Sequence, residues 1–381
     1  MHDAIQQAQA GPFAREGQDL VDASHGLITG AVLRPNPRLY LSSDDIQPWS
    51  NNFSFANNTE DYGYLGQLVE FGRKRSSRLG LARATVTQTE SERTLLLQQI
   101  AGRVASAYWT AVTNQGIVSL LEQDMKAVDQ IVVYNKERVE AGATRGVDLL
   151  RVQIERDRLQ LILEAAQRDV TLSRIELFKQ MGREPQANIE LTDSLESSAP
   201  IQTQALATIL ASRADVAVAR DAVVIAQANL KLQHSLGVAD IDILAGYKRN
   251  SGADTLYSSV QIPLNFRNRN QGEVERAQAT IRLQQDRLIQ LQLVVRADVD
   301  AAQQAYIHQQ KIVNEVLPDM RVRARQNLAI MDDAYRTGGV DLLRYLDAER
   351  TEFDIEVSAL RTLAEFQQAA VRLQIAYGVQ P

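Results

Sequence analysis

The sequence predicts a mainly α-helical chain with a β-barrel portion, built as two repeats of a long antiparallel coiled-coil hairpin, with four strands per chain. Three observations predict it. The chain repeats itself at a spacing of about 195 residues, and each copy holds a helical stretch far longer than a globular helix. Aromatic residues gather in two short segments of alternating apolar character.

The repeat rests on three anchors. The hexamer Gly-Val-Asp-Leu-Leu-Arg occurs at 146–151 and again at 339–344, 193 residues later. Gly142 matches Gly338 at 196, and Phe71 with Ala82 and Ala84 matches Phe266 with Ala277 and Ala279 at 195. Chance supplies one such match, not three in the same order. Residues 1–190 are expected to form the first structural repeat and 191–381 the second.

In order along the first repeat, a polar helix over about 2–33 precedes strands within about 38–72. A long helix then runs over about 73–140. Its positions Leu97, Ile100, Val104, Ala107, Ala111, Asn114, Val118, Leu121, Met125, Val128, Val132, Asn135 and Val139 step by alternating threes and fours. All but the two asparagines are apolar, a seam of 3.5-residue period that specifies a coiled coil. At 1.5 Å per residue this helix is on the order of 100 Å long. Gly142 ends it, and a return helix follows over about 147–182, with Asp148 well typed as its cap. Gly182-Arg183-Glu184-Pro185 and a polar stretch to Pro200 separate the repeats.

The second repeat has the same order: helix about 200–236, strands about 239–266, long helix about 268–333, return helix about 340–378. Pro318 lies inside the long helix and predicts a kink near its far end. Gly338 and Gly339 form the turn, and Asp341 caps the return. In the strands, Ile241, Ile243, Ala245 and Tyr247 alternate with Asp240, Asp242, Leu244 and Gly246. Leu256, Ser258, Val260, Ile262 and Leu264 make the partner. Leu39 and Leu41 begin a similar strand, and 62–71 supplies another whose alternation is weak. Ten of the chain's 21 aromatics fall in these segments, as an interfacial girdle requires.

No apolar run approaches the roughly 20 residues of a membrane-spanning helix. If the chain crosses a membrane, strands must do it. Four strands cannot close a barrel, and open edges facing lipid leave backbone groups unsatisfied. Several copies must therefore pool strands, and three copies give twelve. A soluble sheet capping a helical stalk is the other reading of the same segments.

Composition narrows the function. Net charge is −6, which lacks the basic footprint of a nucleic-acid binder. There is no cysteine, hence no disulfide, thiolate metal site or cysteine-borne lipid anchor. His2, His25, His234 and His308 are scattered, with no pair at metal-ligand spacing. No phosphate loop or nucleophile elbow occurs, so neither cofactor nor enzymatic activity is expected. Met1-His2-Asp3-Ala4 runs directly into polar helical sequence, so an exported protein is expected to have lost a leader from this sequence.

Several motifs carry a resemblance. Arg34-Pro35-Asn36-Pro37 before Leu39, Phe71-Gly72-Arg73, Arg213-Ala214-Asp215, Ile262-Pro263-Leu264 through Asn268-Arg269-Asn270-Gln271-Gly272, and Tyr335-Arg336-Thr337-Gly338 leading to Leu346-Asp347-Ala348-Glu349-Arg350 appear in this order. Alanine stands at 214 where the related motif has proline. In order and spacing the chain resembles the TolC-like outer-membrane efflux proteins over nearly its whole length. The resemblance implies a homotrimer in the outer membrane, with a twelve-stranded barrel set in lipid and a helical tunnel through the periplasm. It implies docking with a periplasmic adaptor and an inner-membrane pump, often of the resistance-nodulation-division type, and a passive duct for drugs, metal ions or polypeptides. Gly142, Gly146, Gly338 and Gly339 are the tip turns for adaptor docking.

The same resemblance implies a gate at the inner tip. Tyr335 matches a residue that bonds an aspartate on the neighbouring hairpin, here Asp148. Asp347 matches an acidic residue that constricts the tip, where three carboxylates would share a ring. Arg344 replaces the second acid of that ring, so ion pairs with Asp347 are an alternative. Asp148 as a plain helix cap and Asp347 as a solvated face residue stay open. A periplasmic coiled-coil adaptor or scaffold is the alternative function, although one hairpin flanked by small β-domains is expected of an adaptor.

Overall fold

The computed structural model describes residues 1–381 apart from 187–188, 190, 197–199 and 251. The helix expected over 2–33 is two helices, α1 (His2–Gln9) and α2 (Pro12–Val32). Gly11 divides them. A Cβ there would press on the Ala8 and Met181 carbonyl oxygens at 3.0 and 3.1 Å. Pro12 then opens α2, where its missing N–H is not needed. The strands β1 (Arg38–Asp44) and β2 (Glu60–Val69) follow, with the short helix α3 (Phe55–Asn58) between them. Then α4 (Lys74–Glu140) runs for 67 unbroken residues and α5 (Gly146–Met181) returns.

In the second half, the stretch expected as one helix over 200–236 is α6 (Leu206–Ser212) and α7 (Ala214–Leu236), separated by an extended Arg213. The strands are β3 (Ile241–Asn250) and β4 (Ala253–Gln261). Ile262 and Leu264, expected in the last strand, lie beyond it, because Pro263 has no N–H to continue a ladder. Next come α8 (Gln271–Lys311), one π turn over Ile312–Val316, α9 (Leu317–Arg336) and α10 (Leu342–Ala376). Pro318 withholds a backbone donor and crowds the carbonyl four residues earlier; the π turn ahead of it absorbs that conflict.

The chain forms two compact units. One comprises Met1–Gly17, Arg93–Ala214 and Gln292–Pro381, the other Gln18–Glu92 and Asp215–Leu291. Each takes chain from both sequence repeats. The expected repeat boundary at 190 falls on Glu190, outside the described residues.

In the first unit the seam of α4 is the core. Ile100, Val104, Ala105 and Val112 pack with Leu177 and Met181 of α5 and with Leu363 and Val371 of α10. Leu121, Met125 and Val128 pack with Val152, Leu159 and Leu163 of α5, Tyr335 of α9, and Leu342 and Leu346 of α10. Each such Leu, Ile or Val contributes roughly 1.5–3 kcal/mol by leaving water. Four helices end in one hydrogen-bond motif. Ala143, Arg183, Gly339 and Val379 each donate an N–H to the carbonyl five residues back. The residue before each is a glycine with positive φ: Gly142 at 70°, Gly182 at 67°, Gly338 at 80° and Gly378 at 72°. Only glycine takes that conformation without cost. Both pairs are 196 residues apart.

In the second unit the four strands form one antiparallel sheet in the order β1-β2-β3-β4. The register aligns Leu41, Gly63, Tyr247 and Leu256 in one row and Tyr40, Tyr64, Gly246 and Tyr257 in the next. One face therefore carries Leu39, Leu41, Leu65, Ile243, Leu256 and Val260, all exposed, with Leu256 at 94%. The opposite face carries stacked tyrosines. The rings of Tyr40 and Tyr64 lie 4.9 Å apart, and those of Tyr64 and Tyr257 lie 5.3 Å apart. Gly246 lets them gather, since a Cβ there would collide with the Gly63 carbonyl and with Tyr64. At the strand-to-helix junction the buried Lys74 ammonium meets Asp240 at 2.7 Å. Among the described residues no helix is long and apolar enough to cross a membrane.

Candidate functional site

The turns that join α4 to α5 and α9 to α10 hold the residues expected to form a gate. Gly142, Gly146 and Gly338 face open space: a Cβ on any of them meets nothing within 4 Å. Gly339 has the Ala334 carbonyl oxygen 3.4 Å from such a Cβ, and its own N–H donates to that oxygen. Exposed, side-chain-free turns of this kind leave backbone accessible to a docking partner.

The two copies of the hexamer begin their helices at different points. Asp341 caps α10, its Oδ1 accepting from the Arg344 N–H at 3.0 Å. Asp148 does not cap α5. That helix already starts at Gly146, so Asp148 sits in its first turn and accepts from the Thr144 hydroxyl at 3.1 Å. A carboxylate there still complements the helix dipole.

Tyr335 is buried and bonded, but not to Asp148. Its hydroxyl donates to Asn135 Oδ1 at 2.7 Å, and the Asn135 amide donates in turn to the Ile131 carbonyl at 2.9 Å. Asn135 is fully buried, so both polar atoms need these partners. The Tyr335 ring stacks on Tyr345 of α10 at 5.2 Å and meets Tyr134 edge-on at 6.0 Å. The Arg138 guanidinium lies over both Tyr134 and Tyr335, 5.4 and 5.9 Å from the ring centres. Burial raises the Tyr335 hydroxyl above its ordinary pKa, so it stays a donor at any physiological pH. Residues from α4, α9 and α10 thus form one knot. Asn135, Arg138, Tyr134 and Tyr345 were not among the expected gate residues. The sequence did hold a signal for Asn135, an amide at an apolar seam position, which asks for a buried partner.

Arg344 and Asp347 are exposed on α10, and no ion pair joins them among the described residues. Ion pairs lie further along the helix. Arg321 and Arg325 of α9 reach the buried Glu356 at 2.8 and 2.7 Å. Arg350 of α10 grips the buried Glu155 of α5, which Arg158 also approaches at 2.9 Å. Burial alone would raise Glu155, but the guanidinium groups outweigh it and hold the carboxyl below its usual range. Among the described residues no cluster of histidines and carboxylates could hold a metal ion.

The outer membrane efflux protein family matches residues 22–183. The cobalt-zinc-cadmium resistance protein CzcC of Cupriavidus metallidurans is 24% identical over 365 residues, 93% of this chain and 83% of that protein. The solved structure of CusC, described in terms of transmembrane channel formation, superposes with a TM-score of 0.81 at 17% identity, covering 99% of this chain and 92% of that one. The open state of the MtrE outer membrane channel of Neisseria gonorrhoeae gives a TM-score of 0.81 at 18% identity, covering 99% and 88%. The fold class read from the sequence, long helical hairpins with four strands per chain, is the fold of these structures.

Proposed function

We infer that this chain, whose residues 22–183 match the outer membrane efflux protein family, is the outer-membrane channel of a tripartite efflux system. It is a passive exit duct, fed by an inner-membrane pump and a periplasmic adaptor. One observation carries this reading: the sheet. Its outer strands β1 and β4 each have one unpaired side, and one face carries an exposed apolar band of Leu39, Leu41, Leu65, Ile243, Leu256 and Val260. Three copies joined edge to edge would satisfy every strand in a twelve-stranded barrel, with the leucine face toward lipid and the tyrosine face toward water. The long helices of the two repeats, 1–190 and 191–381, would line the periplasmic part. The exposed turns at Gly142, Gly146, Gly338 and Gly339 would meet the adaptor. Arg344 and Asp347 would face the narrowest part of the duct. The Tyr335–Asn135 bond would hold the hairpins together, with Asp148 nearby on the turn.

The full chain purified from outer membranes should require detergent and run as a trimer; a monomer stable without detergent would sink the reading. In planar bilayers, the double variant Tyr335→Phe with Asp148→Ala should raise single-channel conductance of the assembled trimer. Unchanged conductance would remove these residues from the gate.

The likeness to a cobalt-zinc-cadmium resistance protein favours divalent metal ions as cargo over polypeptides. Expressed with its neighbouring pump and adaptor in a duct-deficient host, the chain should raise tolerance to cobalt, zinc or cadmium salts. Tolerance that rises only for organic drugs would overturn this choice of cargo.

A further inference from the structure

Between α4, α9 and α10, within the first unit, lies a cleft of about 770 Å³. That is a size typical of small-molecule sites. Its floor is apolar, with Leu328, Phe353 and Leu360, and Tyr345 lends an aromatic face. Five carboxylates and three guanidinium groups line it, and the cations are already taken. Arg321 and Arg325 pair with Glu356, Arg325 also approaches Glu352 at 3.8 Å, and Arg336 pairs with Asp332 at 2.9 Å. Two acids are left over, Asp124 of α4 and Glu349 of α10.

Glu349 is the unusual one. It is 7% exposed, and its Oε1 is buried with no hydrogen-bond partner. The groups that face it are all acidic: Asp124 from α4, Glu155 from α5, Asp332 from α9 and Glu352 on its own helix. Arg336 and Tyr345 stand beside the same group of acids. Glu155, Asp332 and Glu352 have arginine partners, which leaves Asp124 and Glu349 to face each other's charge. Burial and then the charge of Asp124 push the Glu349 carboxyl up to about 8, and burial with the charges of Glu352 and Glu155 pushes Asp124 up to about 6. A buried, unpaired acid on the wall of a cleft whose arginines are all engaged elsewhere lacks a positive group.

We propose that this cleft binds a small amphipathic organic cation, whose charged end sits between Asp124 and Glu349 and whose apolar body lies on Leu328, Phe353 and Tyr345. At pH 6.5, where Glu349 is protonated, it loses its proton to water as the cation arrives, so about one proton is released for each cation bound. Proton and cation therefore compete for the same carboxylate.

The probe is benzyltrimethylammonium, a permanent cation with an aromatic body that cannot itself titrate. Its affinity for the wild-type trimer in detergent is read by calorimetry at pH 6.5 and pH 8.5, beside its neutral isostere neopentylbenzene. With the Glu349 carboxyl at about 8, binding should be roughly 25-fold tighter at the higher pH. The neutral isostere should bind weakly and without pH dependence. Glu349→Gln should lose most of the affinity at pH 8.5 and all of the pH dependence while eluting as the same trimer; Asp124→Asn serves if that variant does not assemble. The proposal falls if the wild type binds no cation at either pH, as it would with a neighbouring copy filling the cleft. It also falls if the neutral isostere binds equally well, or if both variants bind as the wild type does.

Discussion

A buried amide in an apolar seam is tolerated only when its polar atoms are bonded, and Asn135 meets that condition through Tyr335. Tyr335→Phe strands the Asn135 oxygen and should cost about 1–3 kcal/mol, read as a lower urea midpoint. Adding Asn135→Leu removes the stranded atom, so the double variant should recover much of the loss; a strictly additive loss would contradict the pairing. Glu349 makes a second prediction at this scale, through pH. Its folded pKa lies above the unfolded value, so its favourable contribution is complete in acid and is lost as pH rises through about 8. Asp124 adds the same sign through about 6. Thermal stability of the protein should therefore fall between pH 5 and pH 9, and Glu349→Gln should flatten the upper part of the fall. Glu155 acts oppositely. Its pKa is depressed, so its stabilisation is present above the unfolded carboxylate value and disappears as pH drops below it.

At the scale of the element, the long helices were legible and their interruptions were less so. The long helix α4 was located to within a residue at each end, its seam running from Leu97 to Val139 and Gly142 marking its end. The break at Gly11 was not legible, since the crowding comes from Met181, distant in sequence. Nor was the difference between the two hexamers. Asp341 caps its helix while Asp148 sits within the first turn of its own, and the flanking chain decides where each helix opens. That Tyr335 is buried at the end of α9 was in keeping with its expected bonding role, but its partner was not legible: choosing Asn135 over Asp148 depends on which face of α4 meets α9. The shared helix-ending motif gives a test. Gly142→Ala and Gly338→Ala each force an L-residue to positive φ and should each cost about 1–2 kcal/mol in thermal unfolding, by similar amounts. A neutral effect at either turn would mean that its helix ends by another route.

For the molecule as a whole, the sheet and the helices follow different logics. The helical cores close on residues of one chain, whereas the strands present an apolar face that one chain leaves uncovered. Leu256→Arg, at the most exposed apolar position of the sheet, should cost about 2–4 kcal/mol if that position lies near the bilayer midplane. Heat-modifiable mobility of the protein on gels would report it, and a silent substitution would place this face elsewhere than in lipid. The alternation that marks this face was readable in β3 and β4. In β2 it was blurred, because Gly63 adds no side chain beside Leu41 and Gly66 makes room for Tyr40.

The free borders of β1 and β4 also bear on how the protein is made. A newly delivered copy would have finished helices yet raw borders, open to any extended strand it meets, including its own kind in the wrong register. Biogenesis would then be a race between closure with like copies and sticky mispairing, decided by how many copies arrive together and by whatever chaperones shield them on the way. Slowing synthesis to a trickle should lengthen the delay before the proposed assembly appears.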